Sequence, residues 1–259
     1  MTTLIDGTYN SRDTGGTPLV GGGATRTGVL YRSDALIDVT VAGERTLADS
    51  TIGTVVDLRT EAERVSAPNR LPNGRPFRTE ALSIIEGAMA IPAGLDLRAF
   101  DPDAMAQMLT EIPTLADLYL GMLAHAASSF AQVARLVAAP EDSQHGGVLI
   151  HCTAGKDRTG VATALLLDAV GADRDAVIAD YAASEVNLAG TWAQGMLVKF
   201  GAMGVPPLPP VVALMTSTPP DAIATALRWL DDQGGSAAYL RGGGLGDEEL
   251  VALRTRLAG

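Results

Sequence analysis

The stretch of sequence that organises this chain is His151-Cys152-Thr153-Ala154-Gly155-Lys156-Asp157-Arg158-Thr159-Gly160. It follows a short apolar run, residues 147 to 150, which predicts a buried strand. It leads into residues 159 to 170, whose pattern predicts a helix that Gly171 ends. Because a loop between a strand and a helix N-terminus can turn its backbone N–H groups toward one centre, the stretch predicts an anion-binding site.

The side chains of this loop fit the attack of a thiol on a phosphate monoester. Cys152 stands directly after the predicted strand, where the helix dipole and converging N–H groups stabilise a thiolate. Arg158 lies six residues later and can hold two phosphoryl oxygens in a fork, and Lys156 adds a second positive charge. Thr159 can donate a hydrogen bond to the thiolate and help the sulfur to leave when a phosphocysteine intermediate is hydrolysed.

The whole loop is expected to contact the phosphate. The predicted phosphate-binding residues are Thr153, Ala154, Gly155, Lys156, Asp157 and Arg158. Gly155 permits a close approach of the backbone or a positive φ. The alternative for Cys152 is a small buried hydrophobic residue, which is the commonest fate of a free cysteine. The register of the His, Gly, Arg and Thr residues around Cys152 favours the catalytic interpretation.

The pattern His-Cys-x-x-Gly-x-x-Arg-Thr-Gly resembles the signature loop of the protein tyrosine phosphatase superfamily. With Lys156 and Asp157 before Arg158, it is similar to bacterial and fungal tyrosine phosphatases that have lipid-phosphatase-like loops. The opening Asn-Ser-Arg-Asp-Thr-Gly-Gly, residues 10–16, resembles the Asn-Phe-Arg-Asp-x-Gly-Gly of the family. Further similar elements are residues 30–33, 56–60, 180–181 and 239–240. The resemblance therefore touches most of the chain.

Two departures from the family pattern bear on substrate fit. Ser11 replaces an aromatic residue, and Glu185 follows Ser184 where the family usually has Asn. Neither departure touches the cysteine or the arginine of the loop. Asp180 and Tyr181 match a short family motif, and we expect helix packing and a structural hydrogen bond from them.

The resemblance implies hydrolysis of phosphotyrosine through a phosphocysteine intermediate on Cys152. Phosphoserine, phosphothreonine or phosphoinositides are further candidate substrates, and inorganic phosphate is the product. Lys156 favours tolerance of highly anionic substrates, because a second cation suits lipid head groups. No cofactor is implied, and three histidines with one cysteine give no metal-ligand spacing.

The general acid is implied by the same resemblance to be Asp157, since the loop Asp is the proposed proton donor in relatives with a Lys-Asp pair. The alternative is that Asp157 is a structural partner of a loop N–H group or a nearby cation. The Trp-Pro-Asp loop known from many tyrosine phosphatases lies upstream of the cysteine, whereas Trp192 and Trp229 lie downstream. Further candidates on an upstream loop are Asp96, Asp101 and Asp103.

Four residues are expected to support the site. His151 is expected to orient the loop rather than carry a proton. Asp57 ends the predicted strand 54–58, and the carboxyl ends of strands face the ligand in open α/β sheets. For Arg12 and Arg59 two interpretations stay open: surface residues, or residues at the pocket rim that brace the loop.

Strand and helix patterns alternate, which predicts an α/β fold with a central, mostly parallel sheet flanked by helices. The predicted strands are 29–31, 54–58, 77–84 and 147–150. The predicted helices are 40–50, 61–66, 99–139, 159–170, 173–187, 191–202, 220–233 and 247–257. The 259 residues, 47% of them hydrophobic, fit one tyrosine phosphatase-like catalytic domain, 1–259. Within it, residues 190–220 are either a peripheral helix and loop or a functional lid.

Charge and cysteine content limit partners and compartment. A net charge of -11 argues against general binding to nucleic acid or to an anionic membrane surface. A single cysteine excludes an internal disulfide and fits a reducing compartment. Residues 1–6 show no secretory signal, and no apolar run reaches the ~20 residues of a membrane span. A cytoplasmic protein is expected, with export by an unrecognised route left open.

Two other functions compete with phosphate ester hydrolysis. Sulfur transfer, as in rhodanese-like domains, also presents a cysteine to an anion. The five residues between Cys152 and Arg158 favour the phosphatase cradle instead. A phosphate-reading pseudophosphatase would usually have lost one of these two residues, and this chain has both.

Overall fold

A central sheet organises the part of the chain described by the computed structural model, which covers residues 3–84, 113–140, 144–202 and 207–259. Its strands are β1 Arg12–Asp13, β2 Leu30–Ser33, β3 Ile52–Asp57, β4 Arg78–Ala81 and β5 Gly147–His151. Their order is β1-β2-β5-β3-β4. Only the edge strand β1 pairs in the antiparallel sense, and the other described pairs are parallel. The prediction of a mostly parallel sheet is confirmed.

Strand β5 lies at the centre of the sheet and pairs with β2 and β3. All of its residues are buried, as expected for a parallel strand covered on both faces. The register places His151 opposite both Ser33 and Asp57. The carboxyl ends of three strands therefore meet at one edge, where the Cys152 loop begins.

Eleven helices surround the sheet in the described part of the chain. In chain order, α1 to α11 are Val41–Asp49, Glu61–Ser66, Leu115–His125, Ala127–Ala138, Arg158–Ala169, Arg174–Leu188, Thr191–Ala202, Pro209–Thr216, Pro220–Asp232, Ser236–Gly242 and Asp247–Ala258. Helix α5 follows the Cys152 loop, and all of its residues except Asp168 are buried. The loop is therefore joined on both sides to deeply buried elements, β5 and α5.

The two faces of the sheet bury cores of different size. Val148 and Ile150 of β5 point into the larger core, which α3, α4, α5, α9, α10 and α11 complete. Leu149 points to the opposite face, into a smaller core that includes Leu47 of α1. This alternation along one strand is the period of two that a covered sheet requires.

Most predicted helices are present, and the largest difference concerns residues 99–139. The described part of this region, from residue 113, forms two helices rather than one, because α3 ends at His125 and α4 begins at Ala127. Ala126 joins them with φ -118 and ψ 24, outside the helical region. Residues 99–112 lie outside the described residues. A period of 3.6 continues across such a break, so the pattern did not reveal it.

Two helices were not predicted as separate elements. Helix α8 begins with two prolines, which can occupy the first helical positions because no backbone N–H is needed there. Helix α10 spans only Ser236–Gly242, too short for a clear apolar period. No helix in the described ranges is both long and apolar enough to cross a lipid bilayer.

Candidate active site

The Cys152 loop turns tightly against the strand β2 side of the sheet. Gly155 has φ +67, and a Cβ atom there would lie 2.4 Å from the carbonyl oxygen of Ser33. Any other residue would collide with that backbone, so the loop needs glycine for both conformation and space. The Cys152 side chain is 2% exposed and lies within the larger core.

The carbonyl groups of the loop are held on its outer side. The Asn10 amide donates to the oxygens of Ala154 (3.1 Å) and Gly155 (3.0 Å). Arg32 donates to the Gly155 oxygen as well, at 2.7 Å. By contrast, no backbone N–H of residues 153–157 donates a hydrogen bond to any described residue. The loop therefore offers a set of unpaired N–H donors, which an anion can satisfy.

Arg158 is held by a carboxylate, that of Glu63, which was not predicted from the sequence. Its Nη1 and Nη2 atoms donate to Oε2 and Oε1 of Glu63, at 2.7 and 2.8 Å. The Thr153 hydroxyl donates to the same carboxylate. Burial raises the pKa of Glu63, but the hydrogen bonds and charge of Arg158 outweigh burial and hold it well below its usual range. Glu63 is thus an anion that holds the guanidinium in one orientation.

A local signal could have pointed to Glu63. Glu63 and Thr60 form a capping box at the start of α2, directly after the strand β3 that ends at Asp57. The spacing Thr-x-x-Glu predicts the box. The spacing does not predict that the same carboxylate also accepts hydrogen bonds from Arg158, which lies 95 residues away.

A polar network lies beneath the loop. Arg59 pairs with both oxygens of Asp57, and Asn69 donates to Asp57 Oδ2 at 3.1 Å. Asn69 Nδ2 also lies 3.0 Å from Nε2 of His151. Nδ1 of His151 lies 3.2 Å from the carbonyl oxygen of Cys152. Arg59 is buried, so the surface interpretation is wrong for it and the bracing interpretation remains.

The electrostatics of this network favour a neutral imidazole. Burial lowers the pKa of His151 to about 4, although the nearby Asp57 opposes that shift. Burial raises the pKa of Asp57, but hydrogen bonds from Arg59 and the neighbouring His151 outweigh it, so the net shift is downward. With Asn69 donating to Nε2, the proton of the neutral ring lies on Nδ1, directed at the carbonyl of Cys152.

A second network holds the loop from the opposite side. Arg12 and Arg32 donate to the two oxygens of Asp180, and Arg32 also donates to the Gly155 carbonyl. Burial raises the pKa of Asp180, but the charges and hydrogen bonds of Arg32 and Arg12 outweigh the effect of burial. The pKa of Asp180 is therefore lowered overall. The Arg12 side chain is 15% exposed and paired with Asp180, so the surface interpretation does not fit it, and its role in bracing the loop stays a prediction. Asp180 was expected to provide helix packing and a structural hydrogen bond, and its pairing with Arg12 and Arg32 was not predicted.

Asp34 is a further buried carboxylate beside the loop that was not predicted. Its Oδ1 accepts from the backbone N–H of Asn10 at 2.8 Å, and both oxygens accept from that of Tyr9. Burial raises the pKa of Asp34 to about 6, and these backbone hydrogen bonds oppose the shift. Asp34 thereby fixes the turn that carries the Asn10 amide.

Asp157 lies at the start of α5, and its two carboxylate oxygens have different surroundings. Its Oδ1 accepts from the hydroxyl of Tyr119 at 2.8 Å and from the ammonium of Lys156 at 2.7 Å. Its Oδ2 accepts no hydrogen bond from the described residues. The side chain does not cap the helix. Of the two structural partners considered for Asp157, the cation is present and the loop N–H is not.

Lys156 is directed away from the open side of the loop. Its ammonium also donates to the carbonyl oxygens of Leu214 and Ser217, at 2.8 and 3.3 Å. These carbonyls belong to the end of α8, where the helix dipole is negative. Lys156 was expected to bind phosphate as a second cation, and that role stays a prediction because its donors are engaged here with Asp157 and α8.

Thr159 is buried at the first turn of α5, and its hydroxyl has no hydrogen-bond partner among the described residues. Its predicted role as a donor to the Cys152 thiolate requires such a free hydroxyl and stays a prediction. The alternative acids Asp96, Asp101 and Asp103 lie outside the described residues.

Comparisons with known proteins agree with the fold and the loop. A profile of the Tyrosine phosphatase family matches residues 3–259. A protein of Cupriavidus necator, provisionally named a tyrosine-protein phosphatase, is 33% identical over 206 residues, or 78% of this chain and 70% of the relative. The triple specificity protein phosphatase PtpB of Mycobacterium tuberculosis is 32% identical over 193 residues, or 68% of this chain and 67% of the relative.

A third relative is a tyrosine-protein phosphatase of Nostoc commune, 35% identical over 136 residues, or 52% of this chain and 41% of the relative. The fold and the loop sequence define the chain as a cysteine-dependent phosphatase. The chain belongs to the tyrosine phosphatase family. As a member, it is a protein-tyrosine phosphatase, a hydrolase of phosphoric monoesters.

Proposed function

We propose that the chain dephosphorylates phosphotyrosine in proteins with Cys152 as the nucleophile. The observation that carries this proposal is that the N–H groups of residues 153–157 have no acceptor among the described residues, in a loop that also holds Arg158 in a fixed orientation. In the first step the Cys152 sulfur bonds to phosphorus while the bond to the tyrosyl oxygen breaks. Arg158 and the N–H groups stabilise the charge on the remaining phosphoryl oxygens.

Asp157 supplies the proton that the leaving oxygen needs. Since Oδ1 already accepts from Tyr119 and Lys156, the proton is carried on Oδ2. In the second step water attacks the phosphocysteine, and the ionised Asp157 takes the proton of that water. Inorganic phosphate forms, and the Cys152 thiolate is released. The Thr159 hydroxyl donates a hydrogen bond to that thiolate.

The supporting residues act by holding the loop in shape. On one side of the loop, His151 is linked through the Asn69 amide to Asp57, which Arg59 holds in turn. Arg12 acts on the other side, through the shared carboxylate of Asp180. Because the carbonyls of the loop stay outside, its N–H groups need no reorganisation when phosphate binds, which is the condition for strong electrostatic stabilisation.

Phosphoserine, phosphothreonine and phosphoinositides are proposed as additional substrates. Support comes from the relative named a triple specificity protein phosphatase. Lys156 adds a positive charge within the loop, next to Asp157, which suits a highly anionic head group. A thiolate nucleophile and a single cysteine suit a reducing compartment such as the cytoplasm.

Residues 190–220 are proposed to form a lid within a single domain, 1–259. Helix α7 has no buried residue, so little core packing holds it in place. Helix α8 is tied to the loop through Lys156 at its carboxyl end. One loosely packed helix next to a second that is tied to the catalytic loop is an arrangement that suits a closing element.

The test is phosphate release from a phosphotyrosine peptide and from a phosphoinositide, without added metal. Cys152→Ser should abolish turnover while the protein stays folded. Asp157→Asn should slow hydrolysis about 100-fold for a poor leaving group and much less for a good one. Release of phosphate by Cys152→Ser at the wild-type rate would overturn the mechanism. Absence of turnover by the wild type would favour a phosphate-reading binding module.

A further inference from the structure

Two buried tyrosines form a chain of hydrogen bonds that ends at Oδ1 of Asp157, the oxygen that does not carry the transferred proton. Tyr119 of α3 and Tyr181 of α6 are 0% and 1% exposed, and their hydroxyl oxygens lie 2.7 Å apart. We infer that Tyr119, supported by Tyr181, is a positioning residue that holds Oδ1 of Asp157 and so reserves Oδ2 for the leaving group. This inference rests on the proposed role of Asp157 as the general acid.

The direction of the hydrogen bonds in this chain follows from the fact that each hydroxyl can donate only once. A tyrosine hydroxyl has one hydrogen, and that of Tyr119 is directed at Asp157 Oδ1, 2.8 Å away. In the contact between the two hydroxyls, Tyr181 must therefore be the donor. Burial raises the pKa of both tyrosines, so both remain protonated across the range in which the enzyme works. The result is a directed chain from Tyr181 through Tyr119 to Asp157.

The chain is built on rigid elements. The two rings meet edge to face, with centroids 5.9 Å apart and an interplanar angle of 86°. A Cβ atom on Gly160 would lie 3.0 Å from Cδ2 of Tyr181, so the glycine at the end of the signature loop makes room for this ring. Helices α3 and α6, packed against Gly160 at the start of α5, therefore fix the position of the Tyr119 hydroxyl.

Tyr119 differs from the other donor to Oδ1. Lys156 is also bound to the end of α8, so any movement of the proposed lid acts on its ammonium. Tyr119 contacts the core and would keep Asp157 oriented when that movement occurs. Without Tyr119 the carboxylate can rotate, and either oxygen can then turn toward the ammonium. The fraction of molecules with a protonated oxygen facing the leaving group would fall.

The experiment compares Tyr119→Phe with wild type on phenyl phosphate, a poor leaving group, and p-nitrophenyl phosphate, a good one. We expect kcat to fall about tenfold on phenyl phosphate and less than about twofold on p-nitrophenyl phosphate. A role in packing alone would slow both substrates by the same factor and would leave the leaving-group dependence unchanged.

The matched control is Tyr239→Phe. Tyr239 is also buried, and its hydroxyl donates to the carbonyl oxygen of Leu123 at 2.7 Å, so the same atom is removed from a similar setting. Its kinetics should stay at the wild-type level. Tyr181→Phe keeps the bond from Tyr119 to Asp157, so it should show the same leaving-group pattern with a smaller loss, and it serves as the test if Tyr119→Phe does not fold.

The outcomes separate this inference from the proposed acid. If Asp157→Asn shows leaving-group dependence but Tyr119→Phe slows both substrates equally, the inference is overturned and the acid stands. If Asp157→Asn slows both substrates equally, the acid itself is overturned. In the variant that combines Tyr119→Phe with Asp157→Asn, the loss on phenyl phosphate should equal that of Asp157→Asn alone, since Tyr119 acts only through that carboxylate. Additive losses would contradict the inference.

Discussion

Glu63 makes the contact that bears most directly on the orientation of Arg158, through two parallel hydrogen bonds. We expect Glu63→Gln to lower kcat/KM about 10- to 100-fold, since a hydrogen bond to a charged group contributes about 1.5–3 kcal/mol. Loss of the negative charge by itself would favour an anionic substrate, so a fall in kcat/KM means that orientation outweighs charge. The measurement is steady-state hydrolysis of a phosphotyrosine peptide.

The control for this prediction is Glu249→Gln. Glu249 pairs with Arg135 at 2.6 Å, which reproduces the Glu–Arg pair away from the catalytic loop. Its kcat/KM should remain at the wild-type value. A wild-type kcat/KM in Glu63→Gln would contradict the positioning role of Glu63.

Helix α8 is connected to the catalytic loop through one ammonium group. We expect Lys156→Met to speed amide hydrogen exchange in the described parts of residues 190–220, because the carbonyls of Leu214 and Ser217 lose their donor. In the wild type, a phosphate analogue such as vanadate should slow exchange in the same segment. Hydrogen exchange followed by mass spectrometry measures both effects.

The matched control for the lid is Lys199→Met. Lys199 is the only other lysine of the chain, and it lies exposed on α7 itself. Exchange in residues 190–220 should be the same in this variant as in the wild type. Equal exchange with and without vanadate would argue against a lid, whatever the lysine variants show.

Two buried groups of the site act in opposite directions on the stability of the folded chain below neutral pH. The pKa of His151 is lowered from 6.5 to about 4, so its contribution to stability is lost as the pH falls from 6.5 toward 4. The pKa of Asp34 is raised from 3.8 to about 6, so its contribution becomes more favourable as the pH falls through 6. Between pH 6.5 and 5 the two nearly cancel.

We therefore expect the wild-type free energy of unfolding to change little between pH 6.5 and 5. Asp34→Asn removes the opposing group, so this variant should lose about 1.5 kcal/mol over the same interval. Urea denaturation at the two pH values measures both. The reverse variant, His151→Gln, should gain stability on acidification. The same pH dependence in Asp34→Asn and wild type would contradict the assignment.

Much of the fold follows from patterns within short segments. The apolar residues before and after the Cys152 loop predicted β5 and α5. Both elements are buried over nearly their whole length, and such burial requires apolar residues that are visible in the sequence. The break at Ala126 escaped prediction because the apolar period continues across it. Secondary structure is set mainly by neighbours within one or two turns, which is why such patterns succeed.

Much less of the site geometry follows from such patterns. Cys152, Arg158 and Thr159 were predicted from the loop alone, because a short loop joined to a strand and a helix has few ways to surround an anion. Glu63 and Tyr119 were not predicted, since their partners in the loop are 95 and 38 residues away. For Lys156 the residue was singled out, while its contacts with α8 were not.

The sequence by itself determined the fold class, the place of the loop at the end of β5, and the family to which the chain belongs. The reason is that these depend on local spacing, on the glycine at 155 and on apolar periods. Only the tertiary structure decided which carboxylate holds Arg158, which oxygen of Asp157 is covered, and where Lys156 points. These contacts join elements that are distant along the chain, and their geometry exists only after the sheet and helices have packed.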